Sequence, residues 1–145
     1  MRSEGTKIFD EEGTAYLDCG GYGVFILGHC HPRVVAAAAR QLATHPLSGR
    51  LLLHSELPAA AEALARVTPE GLDYVFFTGS GAEATETAIK LARLRGKRTL
   101  VAMRNGFHGK TFGALSVTGR ELFQAPFRPL VPDVHVIPYA DVAAL

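Results

Sequence analysis

The sequence predicts an α/β fold, and three observations carry that prediction. The apolar run "DYVFFT", residues 73–78, ends in Gly79, Ser80 and Gly81 and passes into a helical pattern, "SGAEATETAIKLARLRG". One helix later a second apolar run follows, "RTLVAM". A glycine-punctuated segment then leads to a third, "DVHVIP". Short buried-type strands one helix apart predict a right-handed βαβ unit with parallel strands.

The elements before residue 70 follow a different grammar. "TKIFDEEGTAYLD" predicts two short strands about a turn, with Asp10 and Gly13 supplying the turn chemistry between alternating apolar residues. "CGGYGVFILGHCHP" has glycines at 20, 21, 23 and 28, which break any regular element, yet it is too apolar for a solvated loop. A loop of that kind lets backbone come close to another group. Pro32 suits the first turn of a helix that "PRVVAAAARQLATH" continues. "SGRLLLHS" connects it to a second helix, "ELPAAAEALARV", with Ser55 as the candidate cap. A composition shift near residue 70 divides the chain into 1–70 and an α/β part, 71–145. The last residues, "YADVAAL", predict the start of another helix. An open parallel sheet needs more strands than these and cover on both faces, so the α/β part is expected to be incomplete.

Composition narrows the function classes. Hydrophobic residues make up 48% and charged residues 20% of 145 residues, which indicates a globular chain. A formal net charge of +1 gives no electrostatic case for nucleic acid or a membrane surface. No apolar run reaches the ~20 residues of a membrane span, and "MRSEGTKIFD" is too polar for a signal peptide. Cys19 and Cys30 are too few for a disulfide framework, so reduced thiols in a cytoplasmic protein are expected.

The chemistry concentrates where the first strand feeds its helix. Small residues at that junction leave several N–H groups free at one point, and the helix dipole adds positive charge there. Such a turn suits an anion, phosphate above all. Gly79 to Ala84 fit G-x-G-x-x-[G/A], so a dinucleotide is one reading. That reading wants an acid at the end of the next strand, where "VAMRNG" offers Arg104 instead, which suits a 2′-phosphate and leaves NADP open. No G-K-[ST] follows for a P-loop, and Thr78 stands where a nucleophile elbow needs glycine. "NGFHGKTFGALSVTG" begins at the end of the second strand, hence at the same sheet edge. It presents Phe107 and His108 between glycines, an aromatic pair suited to stacking on a flat ring.

Together, "YLDCGGYGVFILGHCHPRVV", "FFTGSGAEATETAIKLAR", "FHGKTFGALSVTG" and "APFRPLVPDVHVIPY" resemble the N-terminal part of class III, pyridoxal-phosphate-dependent aminotransferases of fold type I. Putrescine aminotransferases are the nearest in pattern, then acetylornithine and ornithine aminotransferases. The resemblance implies that 1–70 carries part of the small domain and that 71–145 opens the cofactor-binding large domain. It implies that Ser80, Gly81 and Ala82 hold the cofactor phosphate, that Phe107 stacks on the pyridine ring with His108 beside it, and that Tyr22 faces substrate. Ala82 stands where many relatives carry threonine, which removes a hydroxyl but not the backbone N–H. The Schiff-base lysine, the aspartate partner of the pyridine nitrogen and a threonine from the partner subunit are expected beyond residue 145. Lysines 7, 90, 97 and 110 do not fit that role, so no catalytic residue is assigned in this chain, which is expected to be an inactive fragment by itself. The implied reaction moves an amino group from putrescine, ornithine or a similar amine to 2-oxoglutarate, in a homodimer. The competing expectations are an NADP-binding oxidoreductase domain and a truncated remnant without activity, whose unfinished sheet leaves unpaired edges.

Three further groups are expected to be structural. His29, Cys30 and His31 diverge in direction and lack a second ligand pair, so they are not read as a metal site but as a loop in which histidine bonds backbone. Glu83 and Glu86 are expected on a solvated helix face. "RLRGKR" complements a helix C-terminus.

Overall fold

The structure, a computed structural model, describes residues 1–20, 23–47, 49 and 54–145. The chain divides into two compact units, Met1–Ala63 and Leu64–Leu145.

The first unit opens with an antiparallel sheet of β1 (Arg2–Glu4), β2 (Lys7–Phe9) and β3 (Ala15–Leu17), in that order. The β2–β3 hairpin pairs Ile8 with Tyr16. Asp10 closes its turn, since its carboxylate accepts from the Thr14 N–H at 2.8 Å and from the Tyr16 hydroxyl at 2.9 Å. β1 was not expected from the sequence; three residues are too short to show alternation. Helix α1 (Pro32–Thr44) starts at its proline, as Pro32 predicts. Helix α2 (Glu56–Ala65) follows, while most of the "SGRLLLHS" connector lies outside the described residues.

In the second unit, helix α3 (Gly81–Leu94) runs from a Ser80 cap to a glycine stop. Gly96 takes φ +76°. Its N–H donates to the Arg93 carbonyl at 3.0 Å, and the Lys97 N–H reaches the Ala92 carbonyl at 2.9 Å. Those two bonds satisfy carbonyls that the helix end would otherwise leave free. Strands β4 (Leu100–Met103) and β5 (Val134–Ile137) pair in parallel with Ala102 opposite Val136. The crossover between them carries α4 (Phe112–Ser116) and α5 (Glu121–Gln124).

The parallel unit therefore forms between the second and third expected strands. The expected first strand, residues 73–78, has no ladder partner among the described residues. Tyr74 and Phe76 are 98% and 75% exposed, where a buried strand was expected. Apolar composition reports fitness for a pleated, half-buried surface, but a strand exists only where a neighbour completes its ladder.

The buried residues Ala102, Ala114, Leu115, Val117 and Ile137 all belong to the second unit. Ser116, Thr118 and Gln124 are buried with them, and each is hydrogen-bonded, as buried polar groups must be. Gln124 donates to the Leu115 and Ser116 carbonyls at 3.0 and 3.1 Å, which caps the end of α4 from α5. Thr118 ties this small core to the segment that carries Phe107 and His108, since its hydroxyl accepts from the His108 N–H.

Candidate functional site

Ser80 shapes the turn ahead of α3. Its hydroxyl accepts from the Glu83 N–H at 3.2 Å and donates to the Glu83 carboxylate at 3.1 Å. That is a local S-x-x-E cap, and it fixes where the helix begins. The next two N–H groups, of Gly81 and Ala82, have no carbonyl one turn earlier to accept from them. Open space lies where a Gly81 side chain would stand. The helix start can therefore hold an anion against its backbone.

The segment after β4 is a closed loop. The Asn105 N–H donates to the Gly119 carbonyl at 2.8 Å, and the Gly119 N–H donates to the Gly106 carbonyl at 3.1 Å. The chain thus leaves and returns at one point, and Phe107 and His108 stand just inside the clasp. Phe107 is 55% exposed, so much of its surface is uncovered. Phe123 braces it in a T-shaped contact, with centroids 6.0 Å apart. The Lys110 ammonium lies over the Phe123 ring at 4.9 Å.

The structure brings the turn and the loop together at two places. Gly109 packs on Ala82: a Cβ on Gly109 would lie 2.6 Å from the Ala82 methyl, and its φ of +124° already favours glycine. The Thr85 hydroxyl donates to the His108 carbonyl at 3.0 Å. From the other side, the Thr118 hydroxyl accepts from the His108 N–H at 3.0 Å and has the Gly109 and Ala114 carbonyls at 3.0 Å as acceptors. Ser80, Gly81 and Ala82 are thereby joined to Phe107 and His108 in one constellation. Its chemistry is an anion seat beside an aromatic platform, which fits a phosphorylated aromatic ring. Tyr22 lies outside the described residues.

Glu86 corrects an expectation. It does not lie on a freely solvated face: one carboxylate oxygen accepts from the Thr111 hydroxyl at 2.7 Å and from the Gly113 and Ala114 N–H groups at 2.8 and 3.0 Å. The Thr111 hydroxyl first, then those two N–H groups, hold its carboxyl below the ordinary range, against the opposing effect of partial burial. Sequence reasoning missed this role, and those of Thr85, Thr118 and Phe123. A signal for Glu86 did exist. Helix α4 has no acidic residue in its first turn and no side-chain cap of its own, so its N–H groups need an acceptor from elsewhere.

His29 departs in part from its expected backbone-bonded role. Its backbone does pair with Gly5, but its ring meets the Asp18 carboxylate at 2.6 Å and packs on Phe25 at 4.3 Å. The Gly20 N–H and then the His29 ring hold the Asp18 carboxyl below its usual value.

Comparison with known proteins identifies the family. The aminotransferase class-III family model matches residues 1–145. The chain is 45% identical over 143 residues to a putrescine aminotransferase of Pectobacterium atrosepticum, covering 95% of this chain and 31% of that protein. It is 44% identical over 144 residues to an acetylornithine aminotransferase of Methanopyrus kandleri, covering 98% and 37%. The chain thus spans about a third of the length of these relatives. Among solved structures, an (S)-enantioselective omega-transaminase from Thermomicrobium roseum superposes with a TM-score of 0.85 at 33% identity, over 95% of this chain and 33% of that one. An ornithine aminotransferase from Toxoplasma gondii, with partial occupancy of pyridoxal phosphate at its active site, gives 0.86 at 28%, over 99% and 36%. The fold is that of a fold type I transaminase in part, and the chain belongs to the class III aminotransferases, which depend on pyridoxal phosphate.

Proposed function

We propose that these residues form the phosphate seat and ring platform of a pyridoxal phosphate site. On this reading the intact protein transfers an amino group from a terminal amine or amino acid, of the putrescine or ornithine kind, to 2-oxoglutarate. The observation that carries the reading is the junction of Gly109 on Ala82 and Thr85 on His108, which sets an aromatic platform beside a helix start. Family membership supports the phosphate of pyridoxal phosphate over a dinucleotide as the anion at Gly79–Ala84.

When bound, pyridoxal phosphate supplies an electron sink for the carbanion of the donor. This chain's residues bind and orient. The N–H groups of Gly81 and Ala82 would hold the phosphate, with the α3 dipole adding to the attraction. Ser80 orders the turn through Glu83. Phe107 would lie against the flat ring and keep water from that face, with His108 beside it.

Titration of the intact protein with pyridoxal phosphate tests the site. Saturable binding is expected, with affinity about fivefold to tenfold weaker in Phe107→Ala because the platform is lost. Amino transfer from putrescine, ornithine or N-acetylornithine, with glutamate formed from 2-oxoglutarate, tests the reaction. Binding of NADPH without binding of pyridoxal phosphate would overturn the assignment.

A further inference from the structure

Resting on that reading of the site, we propose that Glu86 is the positioning residue that holds the Phe107–His108 platform in register with the phosphate seat. Glu86 lies on α3, the helix whose first turn forms the seat. Its carboxylate reaches out of that helix and accepts three hydrogen bonds from the start of α4, from the Thr111 hydroxyl and the N–H groups of Gly113 and Ala114. Nothing within α4 replaces it, since Thr111 makes no side-chain cap bond of its own. The approach is so close that a Cβ on Gly113 would meet the Glu86 carboxylate, so the carboxylate packs directly against that glycine.

The consequence for the platform follows from connectivity. Gly113, Ala114, Leu115 and Ser116 are buried, so α4 is a fixed body. Thr118, just past its end, grips the His108 N–H and lies against the Gly109 carbonyl. Thr85, one residue before Glu86, holds the His108 carbonyl. Residues 107–110 are thus held between α3 and α4, and Glu86 fixes the distance between those two helices. Glu86 acts through the loop rather than on the cofactor.

Four measurements on the intact protein test this. In Glu86→Ala, pyridoxal phosphate should bind about tenfold more weakly, because three bonds to a charged acceptor are lost. The induced visible circular dichroism of the bound cofactor should fall, because the ring is held less firmly. Inorganic phosphate should bind within about twofold of wild type, because the seat itself keeps its N–H donors. Glu86→Gln retains a carbonyl acceptor for the α4 N–H groups and should restore binding to within about threefold of wild type. Wild-type cofactor affinity and dichroism in Glu86→Ala would overturn the proposal. Should Glu86→Ala not fold, Thr111→Val removes one donor and leaves the carboxylate in place. It should weaken the cofactor by about threefold, and wild-type affinity there overturns the proposal. Hydrogen exchange in the cofactor-free protein separates this proposal from the reading it rests on. If wild type binds no pyridoxal phosphate, that reading fails. The amides of 107–114 must still lose protection in Glu86→Ala, and unchanged protection overturns the positioning role.

Discussion

The Thr85 hydroxyl donates to the His108 carbonyl at 3.0 Å, and it also meets the Gly81 carbonyl at 3.1 Å. One proton is therefore shared between the first turn of α3 and the loop that carries Phe107. A hydroxyl in this place joins two parts of the site that lie 23 residues apart in sequence. Thr85→Val keeps the shape and removes the donor, and a lost hydrogen bond of this kind costs about 1 kcal/mol. Pyridoxal phosphate affinity should fall about fivefold, with faster amide exchange at 107–109 and little change at 86–94. An unaltered exchange pattern would show that the bond carries no weight.

Gly81 separates stability from binding. No atom lies within 4 Å of the place its Cβ would take, and its backbone is not in the left-handed region. Gly81→Val should then change the unfolding free energy read from urea titration by no more than about 0.5 kcal/mol, as surface substitutions do. The added methyls would stand in the space assigned to phosphate, so cofactor affinity should drop by at least about tenfold, the effect of one unmade charged hydrogen bond. Binding as tight as in wild type would move the phosphate away from this turn.

The α/β class was legible because "RTLVAM" and "DVHVIP" are strands with a real partner in each other. The hairpin at Asp10 and the helix from Pro32 were legible because turn and cap chemistry is local. Segment 73–78 was misread because no local pattern shows whether a ladder partner exists. The cap at Ser80 and the loop that opens at Asn105 were legible from adjacent motifs. Glu86 and the grip of Thr118 on His108 and Gly109 were not, because those partners lie 25 to 28 and 9 to 10 residues away, a spacing set by the crossover and not by any helical or strand period. Unsatisfied N–H groups at the start of α4 were the available clue.

Gly109 should tolerate no side chain. Its φ of +124° disfavours an L-residue, and a Cβ would lie 2.6 Å from the Ala82 methyl and 3.0 Å from the Ala114 methyl. Gly109→Ala should cost about 2 kcal/mol or more, from backbone strain plus overlap. Adding Ala82→Gly relieves the first overlap only, so the double variant should recover part of the loss in thermal unfolding. Full recovery would mean that neither the strained backbone nor the remaining overlap with Ala114 contributes.

Acid should act on the second unit through Glu86. The Thr111 hydroxyl, then the Ala114 and Gly113 N–H groups, favour its charged form, and Lys90 on the same helix adds a favourable charge. Its folded carboxyl is therefore more acidic than its unfolded one, with an ordinary value of 4.5. The stabilisation is fully present above that ordinary value and is lost as pH falls through the lower, folded one. Glu86→Gln removes this titration while keeping a neutral acceptor. Urea midpoints at about pH 6 should show the variant less stable than wild type, by about 1–2 kcal/mol for hydrogen bonds to a charged rather than a neutral oxygen. The difference should narrow only as pH falls through the lowered folded value, where the wild-type carboxyl takes up its proton. A gap that stays constant at every pH down to acid unfolding would mean that the carboxylate charge does not hold α4 to α3.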